Sequence, residues 1–153
     1  MLSQFLDFEA IRVDLAPGNK RQLFNQLAAL AAQRLMIDPA AITAAIAERE
    51  KLGSTGFGGG VAIPHGKLDK LERVYALVTR LAVPLDYKAI DGAPVDLVFL
   101  LLSPANAGAE HLKALAAVSR LVRHAATVEK LRGARSRDAM AAVLMGAEER
   151  DAA

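Results

Sequence analysis

The chain has 153 residues, of which 53% are hydrophobic and 24% charged, and its formal net charge is +2. This length suits one domain that buries a core without cross-links, and the absence of cysteine excludes both a disulfide framework and a thiolate metal site. Its 19 basic and 17 acidic residues are interspersed, whereas nucleic-acid binders usually concentrate basic residues on one face. No nucleic-acid partner is therefore expected.

The N-terminal third is predicted to form one strand and two helices. Apolar and charged residues alternate over 11–15, which predicts a strand, and leucines at helical spacing predict a helix over 19–35. The Asp-Pro pair at 38–39 supplies a capping side chain followed by proline at the first helical position. The helix that follows is expected to end near Gly53, with Arg49 in its last turn.

A glycine-rich segment follows the second helix. Five of the eight residues over 53–60 are glycine, and glycine loses more conformational entropy on ordering than any other residue. We therefore expect this segment to be an irregular loop. A brief apolar stretch over 61–63 comes next, and Pro64-His65-Gly66 is expected to interrupt it.

The second half of the chain is predicted to alternate strands and helices. The predicted features are a strand over 74–81, turns at Pro84 and 91–92, a buried strand over 95–102, a loop over 103–108, a helix over 109–124 and a helix from Ser136. The helix over 109–124 is supported by Leu112, Leu115, Ala116 and Leu121, which recur at helical spacing. Interleaved strands and helices indicate the α/β class, with helices covering a mixed sheet.

No targeting or membrane-spanning segment is predicted, and a cytoplasmic location is expected. Asp7 and Glu9 lie where a signal peptide would be basic and then apolar. The longest strongly apolar run, Leu97 to Leu102, is far shorter than the ~20 residues of a membrane helix. Direct membrane insertion is therefore not expected.

Two histidines occupy positions that suit phosphoryl transfer. Imidazole, with a reference pKa of about 6.5, is both a nucleophile and a leaving group near neutral pH. His65, between a proline and a glycine, is the candidate acceptor, and His111 lies in the first turn of a predicted helix. His124 comes late in the same helix and is interpreted as a surface or capping residue.

A transferring phosphoryl group carries its charge on three equatorial oxygens, so its site needs hydrogen-bond donors. Backbone N–H groups of a glycine-rich loop, a helix N-terminus and an arginine fork all provide them. The chain offers the loop with Ser54 and Thr55, the helix start at His111, and Arg49 before the loop. The residues alone leave open that His65 is a turn residue and that Arg49 is solvated.

Competing motifs do not fit this sequence. Gly66-Lys67 is followed by leucine, so a Walker A loop is absent, and neither the dinucleotide fingerprint nor a G-x-S-x-G elbow occurs. No H-E-x-x-H motif occurs either. A zinc site made by His65, His111 and an acidic residue stays open as an alternative.

The run from Leu52 to Leu68, LGSTGFGGGVAIPHGKL, resembles the active-site signature of the mannitol/fructose-type enzyme IIA domains of the bacterial phosphotransferase system. The likeness extends through Asp91–Leu102 and Glu110–Leu115, covers residues 8–145, and is greatest to the nitrogen-regulatory branch. It implies one three-layer α/β/α domain spanning 1–153. It also implies an enzyme with a phosphohistidine intermediate that takes its phosphoryl group from a histidine-phosphorylated carrier protein, without a cofactor or metal.

By this resemblance, Nε2 of His65 is phosphorylated, His111 supports the phosphoryl group, and Arg49 lines the site. Ser54 and Thr55 match the S-T-G of the family loop and, with Gly66, are expected to bind phosphate. The chain departs from the pattern where Gly59 replaces a usual asparagine and Phe57 replaces an aliphatic residue.

Three roles of the chain are compatible with the resemblance. The nitrogen-regulatory branch implies phosphorylation-dependent binding of regulatory targets, such as potassium transporters or sensor kinases. Alternatively, the chain feeds a separate sugar-specific IIB/IIC permease, or it is a binding module of the same fold without this chemistry. The presence of both His65 and His111 favours a phosphocarrier, and the length of the chain favours the regulatory output.

Overall fold

A computed structural model describes residues 2–152, so Met1 and Ala153 of the predicted domain span lie outside the described residues. The strands are β1 (Arg12–Leu15), β2 (Gly56–Gly58), β3 (Val61–Ala62), β4 (His65–Leu68), β5 (Tyr75–Leu85) and β6 (Val95–Pro104). The α-helices are α1 (Lys20–Leu35), α2 (Pro39–Glu50), α3 (Gly108–Arg123), α4 (Ala125–Gly133) and α5 (Arg137–Ala152). Two short 3-10 turns, Leu2–Gln4 and Phe8–Ala10, precede β1.

The strands form one mixed sheet in the order β1-β5-β6-β3-β2, with β4 also paired to β6. β5 runs antiparallel to β6, whereas β3 and β4 run parallel to β6 one after the other. Val61 is opposite Leu97, and His65 is opposite Leu101. This register places the start of β4 beside the C-terminal half of the central strand.

Residues of β6 alternate between two hydrophobic cores, because successive side chains of a strand point to opposite faces. Leu97, Phe99 and Leu101 pack with α3, α4 and α5 on one face. Leu100 and Leu102 pack with α1 and α2 on the other. Since helices cover both faces, the strand is apolar from Leu97 to Leu102. The predicted three-layer α/β/α class with a mixed sheet is confirmed.

The first two helices begin where the sequence predicts. The side chain of Asn19 accepts a hydrogen bond from the Gln22 N–H at 2.8 Å, and the carboxylate of Asp38 accepts one from the Ala40 N–H at 3.0 Å. Both are N-cap interactions, which satisfy helix donors that have no partner within the helix. The second cap fixes the start of α2 and, with it, the position of its last turn at Arg49.

Three predictions about strands are wrong. Residues 53–60 are not wholly irregular, since β2 pairs with β3, and 64–66 do not interrupt pairing, since β4 begins at His65. Pairing with a neighbouring strand outweighs the low strand propensity of glycine. β6 also continues through 103–104, where a loop was expected, because β4 pairs with it there.

Pro84 lies within β5 rather than at a turn. The register between β5 and β6 shifts between Arg80 and Leu85. A proline, which has no N–H to donate, is tolerated in a strand at such an irregularity.

The buried face of α3 coincides only in part with the apolar spacing in the sequence. Leu121 is buried, but Leu112 is 66% exposed, and the buried face also carries His111, Ala114 and Val118. Two sets of residues at helical spacing could face the sheet, one that includes Leu112 and one that includes His111, Ala114 and Val118. The small side chain of Ala114 allows the second set to pack closely against the sheet. The turn that begins α3 consequently points His111 inward and leaves Leu112 on the surface.

Candidate functional site

His65 is the first residue of β4 and is half-buried. Its Nδ1 lies 2.8 Å from the backbone oxygen of Ile63. A carbonyl oxygen can only accept, so Nδ1 carries the hydrogen and Nε2 keeps its lone pair. The backbone two residues before the ring therefore selects the tautomer in which Nε2 has the unprotonated lone pair.

His111 lies in the first turn of α3 and is 8% exposed. Its Nδ1 is 2.6 Å from Oγ of Ser103, a fully buried residue of β6. The rings of His65 and His111 have their centroids 5.5 Å apart and are tilted by 47°. The two candidate histidines are thus neighbours, and each ring is held by its Nδ1 atom.

The surroundings favour the neutral form of both rings. Burial lowers the pKa of His65, and the charge of Arg49 acts in the same direction, against the Ile63 hydrogen bond and the charge of Glu50. Burial also lowers the pKa of His111, helped by His65 and Lys67. These shifts favour the uncharged form of both imidazoles, and in that form Nε2 of His65 keeps the lone pair that a nucleophile needs.

Arg49 lies in the last turn of α2, as predicted, and its Nη1 donates a hydrogen bond to the backbone oxygen of Gly53 at 3.0 Å. That contact ties the end of the helix to the start of the glycine-rich segment. The guanidinium is close enough to His65 to lower the pKa of the ring. Its remaining N–H groups provide a fork of the kind that binds phosphate oxygens.

The three residues predicted to bind phosphate have other contacts in this structure. Oγ of Ser54 accepts a hydrogen bond from the Gly56 N–H at 3.1 Å. The hydroxyl and N–H of Thr55 both donate to the carboxylate of Glu50. Gly66 is buried, and a Cβ added there would lie 3.0 Å from two carbon atoms of Ala45 in α2.

A buried polar cluster behind the loop was missed by the sequence reasoning. Glu50 receives hydrogen bonds from Lys20 at 2.8 Å and from Thr55, whose hydroxyl also lies 2.6 Å from that of Tyr87. Burial would raise the pKa of Glu50, but these hydrogen bonds outweigh it and lower the pKa. In the sequence, Glu50 is one of four consecutive charged residues, and nothing there distinguishes it from a solvated helix end.

This polar cluster is connected to His65 through the backbone. The backbone oxygen of Thr55 accepts a hydrogen bond from the Ile63 N–H at 2.9 Å, and the Ile63 oxygen in turn holds Nδ1 of His65. Glu50 thereby fixes the loop that orients the ring.

A second set of contacts holds the tip of the glycine-rich segment. The Gly59 N–H donates to Asp91 at 3.0 Å, and its oxygen accepts from Nη2 of Arg132 at 2.6 Å. Nε of Arg132 also donates to Asp96 at 2.9 Å. Gly59 has φ of +64°, and a Cβ added at this glycine would meet no heavy atom within 4 Å. Asparagine tolerates this left-handed conformation, which is consistent with its use at this position in the family signature.

Among the side chains of residues 2–150, no group of three or more His, Asp or Glu is arranged to hold a metal ion. The zinc alternative therefore has no third ligand in that range beside His65 and His111. No helix over the same range is long and apolar enough to cross a membrane.

Comparison with known proteins gives the same family from sequence and from structure. Residues 4–146 match the family described as "Phosphoenolpyruvate-dependent sugar phosphotransferase system, EIIA 2". The chain is 49% identical over 136 residues to a nitrogen regulatory protein of Bradyrhizobium diazoefficiens, covering 89% of each chain. It is 39% identical over 140 residues to one of Pseudomonas aeruginosa, covering 91% of each.

The crystal structure of nitrogen regulatory protein IIA-Ntr from Neisseria meningitidis superposes with a TM-score of 0.88 at 34% identity, covering 94% of this chain and 98% of that one. The resemblance found in the signature thus extends to the whole fold. The chain belongs to the EIIA 2 family of the phosphoenolpyruvate-dependent sugar phosphotransferase system.

Proposed function

We propose that this chain is a phosphocarrier that accepts a phosphoryl group on Nε2 of His65 from a histidine-phosphorylated carrier protein. The observation that carries the proposal is the pairing of His65 and His111, with ring centroids 5.5 Å apart. The hydrogen bond from Nδ1 of His65 to Ile63 supports Nε2 as the attacking atom. The match to the EIIA 2 family supports the class of reaction.

The transfer itself needs no proton movement at His65. The Nε2 lone pair attacks phosphorus, the N–P bond of the donor breaks, and its electron pair returns to the donor imidazole. His65 keeps its Nδ1 hydrogen on the Ile63 oxygen throughout. The work of the protein is therefore to position donors around the phosphoryl oxygens.

His111 and Arg49 are the side chains best positioned to support those oxygens. The ring of His111 is beside that of His65, and the charge of Arg49 acts on the His65 ring. Ser54, Thr55 and Gly66 lie in the adjoining segments. Because the Thr55 N–H donates to Glu50, the backbone N–H groups of Ser54 and Gly66 are the remaining candidates. No cofactor is needed for an exchange between two imidazoles.

The charge of the phosphoryl group would allow the chain to bind regulatory partners in a phosphorylation-dependent way. A phosphoryl group adds a charge of about −1.5 to −2 at neutral pH, and the segments that adjoin Arg49, the glycine-rich loop and His111 carry exposed apolar side chains. These are Leu52, Phe57 and Leu112, which are 84%, 42% and 66% exposed. A partner that packs on these residues would meet a different surface in each state. Potassium transporters and sensor kinases are the target classes that the resemblance implies, and the exchange would take place in the cytoplasm.

The direct test is phosphorylation in vitro. The protein is incubated with phosphoenolpyruvate and the general phosphotransferase components, and its intact mass is measured. We expect a gain of one acid-labile phosphoryl group that is lost in His65→Ala and kept in His124→Ala, the matched control. Normal labelling of His65→Ala would refute the proposal.

The same phosphorylated protein distinguishes the alternatives. Loss of the phosphoryl group to a cysteine-bearing IIB protein would indicate that the chain feeds a separate sugar permease. State-dependent capture of a target, compared between native protein and His65→Ala, would indicate the regulatory output. Failure of the native protein to accept phosphate would leave only a non-catalytic binding module.

A further inference from the structure

His65 and His111 are anchored by chemically different partners. Nδ1 of His65 faces a carbonyl oxygen, which can only accept a hydrogen bond, whereas Nδ1 of His111 faces the hydroxyl of Ser103 at 2.6 Å. A hydroxyl can donate or accept. The ring of His65 is therefore fixed in one tautomer, while the anchor of His111 can adapt to the charge of its ring.

The anchor is shielded from water. Ser103 is fully buried and His111 is 8% exposed. Removing one partner of a buried hydrogen bond leaves the other polar atom without compensation, which costs more than the net gain of an exposed bond. This contact also connects the C-terminal end of β6 to the first turn of α3, and Ser103 is opposite Lys67 of β4 in the sheet register.

We infer that Ser103 is a positioning residue, whose hydroxyl holds Nδ1 of His111 so that Nε2–H of that ring is presented to a phosphoryl group on His65. This inference rests on the proposed function. When the hydroxyl donates to Nδ1, a neutral ring carries its hydrogen on Nε2. When the ring is protonated, the hydroxyl turns to accept from Nδ1–H, and Nε2 keeps its hydrogen.

Further observations agree with this role. Nε2 of either histidine has no hydrogen bond to the side chains of residues 2–150 or to the described backbone, so both atoms are available to a ligand. Burial, with His65 and Lys67, lowers the pKa of His111 and favours the neutral ring before transfer. In the sequence, Ser103 lies at the start of a predicted loop, and nothing there indicates its contact with His111.

The experiment measures the equilibrium of phosphoryl exchange between the histidine-phosphorylated carrier protein and this chain, from the phosphorylated fraction of each protein. Ser103→Ala removes the anchor. Thr79→Val is the matched control, since Thr79 is a fully buried residue of the same sheet whose hydroxyl has no hydrogen-bond partner within the described residues. The free energy of unfolding of each variant is measured by urea denaturation to establish that it folds.

We expect Ser103→Ala to shift the exchange equilibrium back toward the carrier by roughly 2- to 10-fold, the range expected for one hydrogen bond, and Thr79→Val to leave it unchanged. In a His111→Ala background, adding Ser103→Ala should shift the equilibrium by less than about twofold, because its partner is already absent. The ¹⁵N shifts of His111 should report Nε2–H in the native protein.

Two results would overturn the inference. One is an exchange equilibrium for Ser103→Ala equal to that of Thr79→Val. The other is a full effect of Ser103→Ala in the absence of His111, which would indicate a general structural role. Failure of the native protein to accept phosphate is a different result, because it contradicts the proposed function itself.

Discussion

The substitution Gly66→Ala tests how closely α2 must pack against β4. In Gly66→Ala, the new Cβ would lie 3.0 Å from the carbonyl carbon and Cβ of Ala45 and 3.1 Å from its oxygen. Carbon atoms normally approach to ~3.5–4.0 Å, so one element must move by several tenths of an ångström. Two of the three contacts are with helix backbone, which cannot move without shifting α2 and Arg49 with it.

The magnitude follows from two opposing effects. Overpacking of a well-packed interior costs about 1–3 kcal/mol. Replacing glycine by alanine restricts the unfolded chain and returns about 0.4–1 kcal/mol. With the middle of each range, about 2 and about 0.7 kcal/mol, the net expectation is a loss of about 1.3 kcal/mol in the free energy of unfolding. This corresponds to ~3–5 °C in melting temperature for a chain of this size.

Urea denaturation followed by circular dichroism measures this loss. The control is Gly146→Ala in α5, where a Cβ meets nothing within 4 Å, and there we expect a gain of about 0.5–1 kcal/mol from helix propensity. A Gly66→Ala protein as stable as the native one would refute the packing argument. A slower phosphorylation of Gly66→Ala is expected in addition, because the shift displaces Arg49 relative to His65.

Three further predictions concern the loop, the buried carboxylate and pH. Gly59→Asn should change the free energy of unfolding by less than about 0.5 kcal/mol in urea denaturation. Gly59→Val should lower it by about 1–2 kcal/mol, because a β-branched residue resists a φ of +64°. Equal effects of the two substitutions would contradict this prediction. Glu50→Gln should cost about 1–3 kcal/mol by the same measurement, because its cationic and hydroxyl partners lose a charged acceptor; an unchanged stability would count against the cluster. Since the pKa values of His65 and His111 are lowered in the folded protein, the unfolded state binds protons first as the pH falls below about 6.5. Urea denaturation across pH should show stability decreasing from there until the folded rings are protonated, and replacing both histidines with glutamine should flatten that step.

Local signals in the sequence were sufficient for several parts of the fold. Asn19 and Asp38 mark helix starts because their side chains satisfy backbone donors within three residues. The run from Leu97 to Leu102 indicates a strand covered on both faces, because it lacks polar alternation. In each case the physical cause lies within a few residues of the signal.

The parts of the fold and site that the sequence does not predict depend on contacts between segments far apart in the chain. β4 forms at His65 because β6 offers it a parallel partner, and the choice between the two sets of residues in α3 is made by packing against the sheet. Glu50 and Ser103 have partners that no spacing rule reveals. The nearness of His65 and His111 could be expected from the family resemblance, whereas composition and periodicity contain no information about it.

The central claim is that His65 is presented with Nδ1 bound and Nε2 free. Nitrogen-15 NMR of the phosphorylated protein, with histidine side chains labelled, measures which ring nitrogen bears phosphorus. We predict a phosphoryl group on Nε2 of His65, with the hydrogen still on Nδ1. A phosphoryl group on Nδ1 of that ring, or on His111 or His124, would contradict the account.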